Sequence, residues 1–161
     1  MYQILDRVDY SADVYMQVIE APAIAAACQP GQFIILRIDE EGERIPLTIA
    51  DFDRDAGTIT IVVQAIGKST RQLQTLGRGD SLANFIGPLG IPSEIEKVGT
   101  VVVAGGGIGV APIYPIARAL KDAGNKIISI VAARNESLLL WEDRMRAVSY
   151  THLTLPTTER V

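Results

Sequence analysis

Four glycines fall within five residues at Gly105, Gly106, Gly107 and Gly109, directly after the apolar run Val101-Val102-Val103-Ala104 and just before Val110-Ala111-Pro112. Glycines at a strand end let the backbone approach a pyrophosphate. A helix starting there adds unpaired amides and about half a positive charge. The chemistry this pattern suits is the anchoring of an anionic dinucleotide. The spacing is not G-x-G-x-x-G, because counting from Gly105 or Gly107 puts the last required position on Val110 or Pro112. The next apolar run is followed by Ala133-Arg134-Asn135 rather than by an acidic residue for a ribose hydroxyl. Arg134 is placed either to meet a 2′-phosphate or to face solvent. A glycine-rich turn without a ligand is the other reading, and it leaves the entropic cost of so many glycines unexplained.

The elements that must position this loop divide the chain in two. Before residue 95, short runs predict strands at 3–8, 14–20, 33–38, 46–49, 58–63 and 81–86, separated by turns such as Pro30-Gly31 and Gly77-Arg78-Gly79-Asp80. Closely spaced strands of this kind predict an antiparallel β-barrel or sandwich. One helix interrupts them at 69–76. After Pro92 the pattern becomes strand, helix, strand at 100–104, 112–123 and 126–132, with a further helix beginning around 137–141. Two apolar strands joined by a helix predict the start of a parallel sheet. Residues 98–117 lack charge over a bilayer-spanning length, but their glycines and prolines break the run, and we expect no membrane span.

Composition narrows the function classes. The chain has 161 residues, 48% hydrophobic and 21% charged, as suits a folded domain or two small ones. With 15 basic residues scattered among 19 acidic ones there is no basic stripe, so nucleic acid is not an expected partner. A single cysteine, Cys28, excludes a disulfide framework and a CxxC metal pair, and points to a reducing cytoplasm. Cys28 reads as a small buried hydrophobe rather than a redox centre. The only histidine, His152, has no partner in sequence that would make a catalytic dyad.

The Gly-Gly-Gly-x-Gly-x-Ala-Pro pattern, preceded by barrel signals, resembles the nicotinamide site of the ferredoxin-NADP reductase superfamily. Within it, Arg44-Ile45-Pro46-Leu47-Thr48-Ile49 resembles the flavin motif, Pro30-Gly31-Gln32-Phe33 its lead-in, and Gly67-Lys68-Ser69-Thr70 the flavin-pyrophosphate helix start. Together with Gly87-Pro88-Leu89-Gly90 and Ala133-Arg134-Asn135-Glu136, these motifs are most similar to the small-subunit family of NADH-dependent ferredoxin-NADP oxidoreductases. The electron-transfer subunits of dihydroorotate dehydrogenases come second.

The resemblance implies an FAD-binding antiparallel β-barrel at 1–97 and an incomplete Rossmann-like NAD(P)-binding α/β domain at 98–147. It implies FAD contacts at Arg44, Pro46, Leu47, Thr48, Ile49, Gly67, Ser69 and Thr70, with the Thr48 hydroxyl near the flavin ring. Contacts to NAD(H) or NADP(H) are implied at Gly105, Gly106, Gly107, Gly109, Ala111, Pro112 and Arg134. Arg44 stands four residues before Thr48, where the superfamily often has three. It reads either as a flavin-phosphate ligand or as a solvated arginine of the charged stretch 39–44. For Gly67 to Thr70, a phosphate site and an ordinary helix cap stand side by side.

The activity implied is NAD(P)H-dependent flavin oxidoreduction. The chemistry is carried by the cofactor, without a side-chain acid or base. Electrons would pass onward through a [2Fe-2S] cluster, whose four cysteines this chain lacks, to ferredoxin and to a large catalytic subunit of glutamate synthase-like or dihydroorotate dehydrogenase type. Residues 148–161 depart from the family and resemble read-through translation of a sequencing-library adapter, so they are expected to make few buried contacts or to lie over the exposed sheet edge without complementary packing. A divergent C-terminal strand with alternating Thr and Leu is the alternative. A natural sequence ending near 147 stops partway through its second domain, and the reading of another class is a fragment that at most binds flavin and catalyses nothing.

Overall fold

The structure is a computed structural model describing residues 1–154. It divides the chain into two compact units, Met1–Ser93 and Glu94–Val161. No helix of the described residues is long and apolar enough to cross a membrane.

The first unit is built from β1 (Tyr2–Asp9), β2 (Val14–Glu20), α1 (Pro22–Ala27), β3 (Phe33–Arg37), β4 (Ile45–Thr48), β5 (Asp51–Asp53), β6 (Thr58–Gln64), α2 (Lys68–Gln74), β7 (Ser81–Leu82) and β8 (Asn84–Leu89). All its strand pairs are antiparallel, in one sheet ordered β5-β6-β2-β1-β7 and another ordered β4-β3-β8. Ile4, Tyr15, Ile19, Ile59 and Ile61 from the larger sheet meet Ile34, Leu36 and Phe85 from the smaller in one core.

Two departures from the expected elements have local causes. Residues 22–27 form a helix in place of a loop, with Pro22 at its start and an Ala-rich body, both favourable at those positions. The strand expected at 81–86 is split at Ala83, whose amide donates to the Ile38 carbonyl. Cys28 is fully buried in this core, as its small apolar side chain suggests.

The second unit holds β9 (Thr100–Gly106), α3 (Val110–Asp122), β10 (Lys126–Ala132), α4 (Glu142–Val148) and β11 (Tyr150–Thr154). β9 and β10 run parallel, with Val102 opposite Ile128 and Gly106 opposite Ala132. Asn125 sets the start of both strands. Its Oδ1 accepts from the amides of Val98 (2.7 Å) and Gly99 (2.9 Å), while its Nδ2 donates to the carbonyls of Glu96 and Leu120.

Of the stretch 148–161, the described residues 148–154 end α4 and run along the edge of the parallel sheet. Val148 is buried at the end of α4, and β11 pairs in register along β10, from Ile128–Tyr150 to Ala132–Thr154. Ser129 Oγ lies 2.6 Å from Ser149 Oγ and donates to Thr151 Oγ1 at 2.9 Å. Main-chain pairing at an open sheet edge requires only an extended chain, which alternating β-branched residues supply. No residue of β11 itself is buried. Residues 155–161 of this stretch lie outside the described residues.

Candidate functional site

The glycine loop closes β9. Gly107 begins a 3-10 turn over Gly107–Gly109, and α3 follows from Val110. The four glycines do different work. A Cβ on Gly105 would meet Ile113 Cδ1 at 2.9 Å, the Gly109 carbonyl oxygen at 3.1 Å and Val110 Cα at 3.2 Å, so this glycine lets α3 pack closely against β9. A Cβ on Gly107 or Gly109 would meet nothing within 4 Å, and one on Gly106 would reach only the Ala132 carbonyl oxygen at 3.7 Å.

Gly107 also has φ +53°, the left-handed region that side chains disfavour. Bare backbone thus opens onto free space at Gly106, Gly107 and Gly109, beside the N-terminus of a thirteen-residue helix. That is the shape a pyrophosphate needs. Ala111 is buried and Pro112 half-buried in the first turn of α3, and Arg134 is exposed beyond β10.

In the first unit, strand alternation sorts the Arg44-to-Ile49 motif. Ile45 and Ile49 are buried, and Leu47 packs against the core. Pro46 and Thr48 are exposed on the opposite, outer face of the β4-β3-β8 sheet. There Pro46 stands opposite Ile35, which pairs in turn with Ile86, and Thr48 stands opposite Phe33, which pairs with Leu89. Ile86 is 50% exposed, so this is an open, largely apolar face with the Thr48 hydroxyl at one side. A planar aromatic ring fits such a surface. Of the motif residues, Pro46 and Thr48 are placed to touch it, whereas Leu47 and Ile49 support it from beneath.

Gln32 fixes the lead-in to β3. Its Oε1 accepts from the Gln29 amide at 2.9 Å, and its Nε2 donates to the Gly90 carbonyl at 2.8 Å, joining β3 to the end of β8.

The Gly67–Thr70 segment opens α2. Thr70 Oγ1 accepts from the amides of Gly67 (3.0 Å) and Ile66 (3.1 Å), so this hydroxyl caps its own helix. Ser69 Oγ donates to the Glu43 carboxylate, which brings the residue before Arg44 against the first turn of α2. The two stretches matched to flavin binding, far apart in sequence, are therefore neighbours in space.

Side chains from the larger sheet hold α2 in place. Tyr15 Oη donates to the Thr70 carbonyl at 2.8 Å, and Gln17 Nε2 donates to those of Leu73 (3.2 Å) and Leu76 (3.0 Å). Burial pushes the Tyr15 phenol well above its ordinary range, against the opposing pull of the Arg7 guanidinium.

Among the described residues no cluster of three or more His, Cys, Asp or Glu side chains could hold a metal. His152 lies in β11 with its ring 5.0 Å from that of Tyr150, edge to face.

No family model matches the chain. Curated relatives do. An uncharacterized protein in the adh 3′ region of Clostridium beijerinckii is 43% identical, over 90% of this chain and 51% of that protein. The Thermotoga maritima homolog of the dihydroorotate dehydrogenase B (NAD(+)) electron transfer subunit is 42% identical, over 91% of this chain and 52% of its own. The chain thus spans about half the length of these curated relatives.

Among solved structures, that of an NADH-dependent reduced ferredoxin-NADP oxidoreductase superposes with a TM-score of 0.94 at 38% identity, covering 98% of this chain and 58% of that one. Phthalate dioxygenase reductase, at 16% identity and a TM-score of 0.73 over 99% of this chain and 53% of its own, shares the fold alone. An antiparallel β unit with a half-apolar outer face, then a parallel sheet ending in open glycines, carries this likeness in both halves, and along nearly its whole length the chain is similar in fold and sequence to an NADH-dependent reduced ferredoxin-NADP oxidoreductase.

Proposed function

We propose that the chain is the flavin- and nicotinamide-binding part of an electron-transfer reductase, moving electrons from NAD(P)H through FAD toward an iron–sulfur or ferredoxin-linked partner. The observation that carries this reading is the end of β9, where Gly106, Gly107 and Gly109 leave backbone open to a ligand at the head of a thirteen-residue helix. There the loop amides and the N-terminus of α3 would hold the dinucleotide pyrophosphate, with Ala111 and Pro112 shaping the first turn and Arg134 at hand for a 2′-phosphate. In the first unit, Pro46 and Thr48 would carry the ring on the outer sheet face, and Arg44, Gly67 and Ser69 would serve its phosphates.

A bound flavin supplies the redox chemistry, taking a hydride as an electron pair and releasing electrons singly. The protein's own contribution is binding and orientation. The apolar face keeps water from one side of the ring, and the Thr48 hydroxyl offers it a hydrogen bond. Nothing in this scheme calls for a side-chain acid or base.

The similarity to a dihydroorotate dehydrogenase electron transfer subunit homolog favours a second reading, in which the partner is a dihydroorotate dehydrogenase large subunit. Both readings ask for the same two cofactors. Purified chain should take up FAD and show flavin absorbance, and NADH or NADPH added without oxygen should bleach it. Flavin that no nicotinamide can bleach would reduce the chain to a flavin-binding piece, and a chain that takes up no flavin would overturn the proposal. Co-purification with a glutamate synthase-like or a dihydroorotate dehydrogenase subunit would separate the two partners.

A further inference from the structure

We propose that Gln17 is a positioning residue for the flavin-binding face: by holding α2 it sets the loop of residues 39–44, and with it Arg44 and the start of β4. The inference rests on the flavin reading above. Gln17 lies in the middle of β2, opposite Arg7 of β1 and Ile61 of β6, with Tyr15 and Ile19 on the same side of the strand. The side chains of Tyr15, Gln17 and Ile19 are all fully buried. An amide in a row of core residues costs stability unless its polar atoms are paired. One of them is not, since Oε1 has no hydrogen-bond partner among the described residues. The other, Nε2, donates to the carbonyls of Leu73 at 3.2 Å and of Leu76, just past the end of α2, at 3.0 Å. What glutamine supplies here, and an apolar residue does not, is a grip on α2.

Neighbouring groups hold the same helix. Tyr15 Oη donates to the Thr70 carbonyl at 2.8 Å, Arg7 donates to the carbonyls of Gln74 and Leu76, and the Leu73 side chain is buried in the core. Arg7 has other contacts as well, pairing with Asp9 at 2.6 Å and lying over the Tyr15 ring. Among the described residues, the side chain of Gln17 hydrogen-bonds only to this helix and the turn that ends it.

α2 in turn holds the loop between β3 and β4. Gln72 Nε2 donates to Asp39 at 3.1 Å and Ser69 Oγ donates to the Glu43 carboxylate, so one helix ties both ends of the loop. Between them, Asp39 accepts from the Glu41 amide at 3.1 Å through Oδ1 and from the Gly42 amide at 3.3 Å through its carbonyl. Apart from Gly42, residues 39–44 are exposed, so hydrogen bonds rather than packing set their course. Those bonds lead to α2, and from α2 to Gln17. Arg44 follows Glu43 directly, and Pro46 and Thr48 come next in β4.

The test compares Gln17→Met, which keeps the length and removes the donor, with a variant of the fully buried Ile59 in the same core, Ile59→Val or Ile59→Ala, chosen to lower the melting temperature equally. At a temperature where both are folded, Gln17→Met should weaken FAD binding about fivefold, the order of one net hydrogen bond, and should speed hydrogen exchange at the Glu41 and Gly42 amides. The Ile59 variant should change neither by more than about twofold. A glutamine that only supports the core predicts the same behaviour from both variants, and that result would overturn the proposal. So would weaker FAD binding with unmoved loop amides, or faster loop exchange with unaltered FAD affinity.

If the unaltered chain takes up no flavin, the flavin reading fails on its own. Loop exchange then decides for Gln17: acceleration in Gln17→Met alone upholds its hold on the loop, and equal rates in the two variants refute it. Should Gln17→Met not fold, Gln17→Asn, whose amide stops one methylene short of α2, takes its place with the same outcomes required.

Discussion

The two units offer their candidate ligands different kinds of surface. In the first, the surface is a sheet face: the β4-β3-β8 sheet buries Ile34, Leu36 and Phe85 in a closed core and turns Pro46, Thr48 and Ile86 outward. In the second, it is a strand end, where β9 runs out into glycines. Burial differs in step. The first unit's sheets share one continuous core. The parallel sheet buries Ile127, Ser129 and Val131 on one side, and on the other leaves Val102 60%, Ile130 37% and Tyr150 67% exposed. Parallel sheets are ordinarily covered on both faces. Side-chain chemistry and its support are therefore inseparable in the first unit, whereas in the second the candidate ligand surface is main-chain and the packing contacts lie elsewhere.

Substitutions can sharpen that contrast. The largest effect is expected in the closed core, where Phe85→Ala should cost about 3–5 kcal/mol in urea denaturation. At the strand end the glycines should separate. Gly105→Ala pushes a methyl against Ile113 and the backbone of Gly109 and Val110, so it should destabilise by about 1–3 kcal/mol. Gly107→Val meets no neighbour but must take a left-handed conformation, costing about 1–2 kcal/mol. Its main effect should be on NADH affinity, with flavin content nearly unchanged. Loss of flavin instead would contradict the separation of the two sites.

Tyr15→Phe removes the bond to the Thr70 carbonyl, worth about 1 kcal/mol. It should also change the alkaline limit of stability. The folded-state pKa of Tyr15 is raised, chiefly by burial, so its contribution is fully present below the unfolded value of about 10 and is lost as pH climbs beyond it. Melting curves from neutral pH to pH ~11 should show that part of the decline missing in Tyr15→Phe. The smallest effect belongs to the exposed parallel face, where Val102→Thr should change stability by no more than about 0.5 kcal/mol. A loss as large as that of Phe85→Ala would mean that Val102 is covered in solution.

Much of this was legible in the sequence because it depends on local order. Short runs between turn signals mark β2 and β6, a continuous apolar run marks β10 at the same residues the structure assigns, and glycines after a β-branched run mark the end of β9. The Arg44-to-Ile49 motif and Gly67–Thr70 stood out through resemblance to a known family rather than through local order. Tertiary structure decided what each of these residues does. Only pairing with β3 shows that Pro46 and Thr48 stand on the open face while Leu47 and Ile49 turn to the core, because a strand's two faces become different only when one is covered.

Only the approach of α3 separates Gly105, which packs, from Gly106, Gly107 and Gly109, which leave room. The sequence by itself determined which segments become strands and helices and where backbone can be bare, since those follow from neighbours along the chain. Which side chains share a face, and which glycine touches a helix, depended on residues distant in sequence, and the tertiary structure alone brings those together.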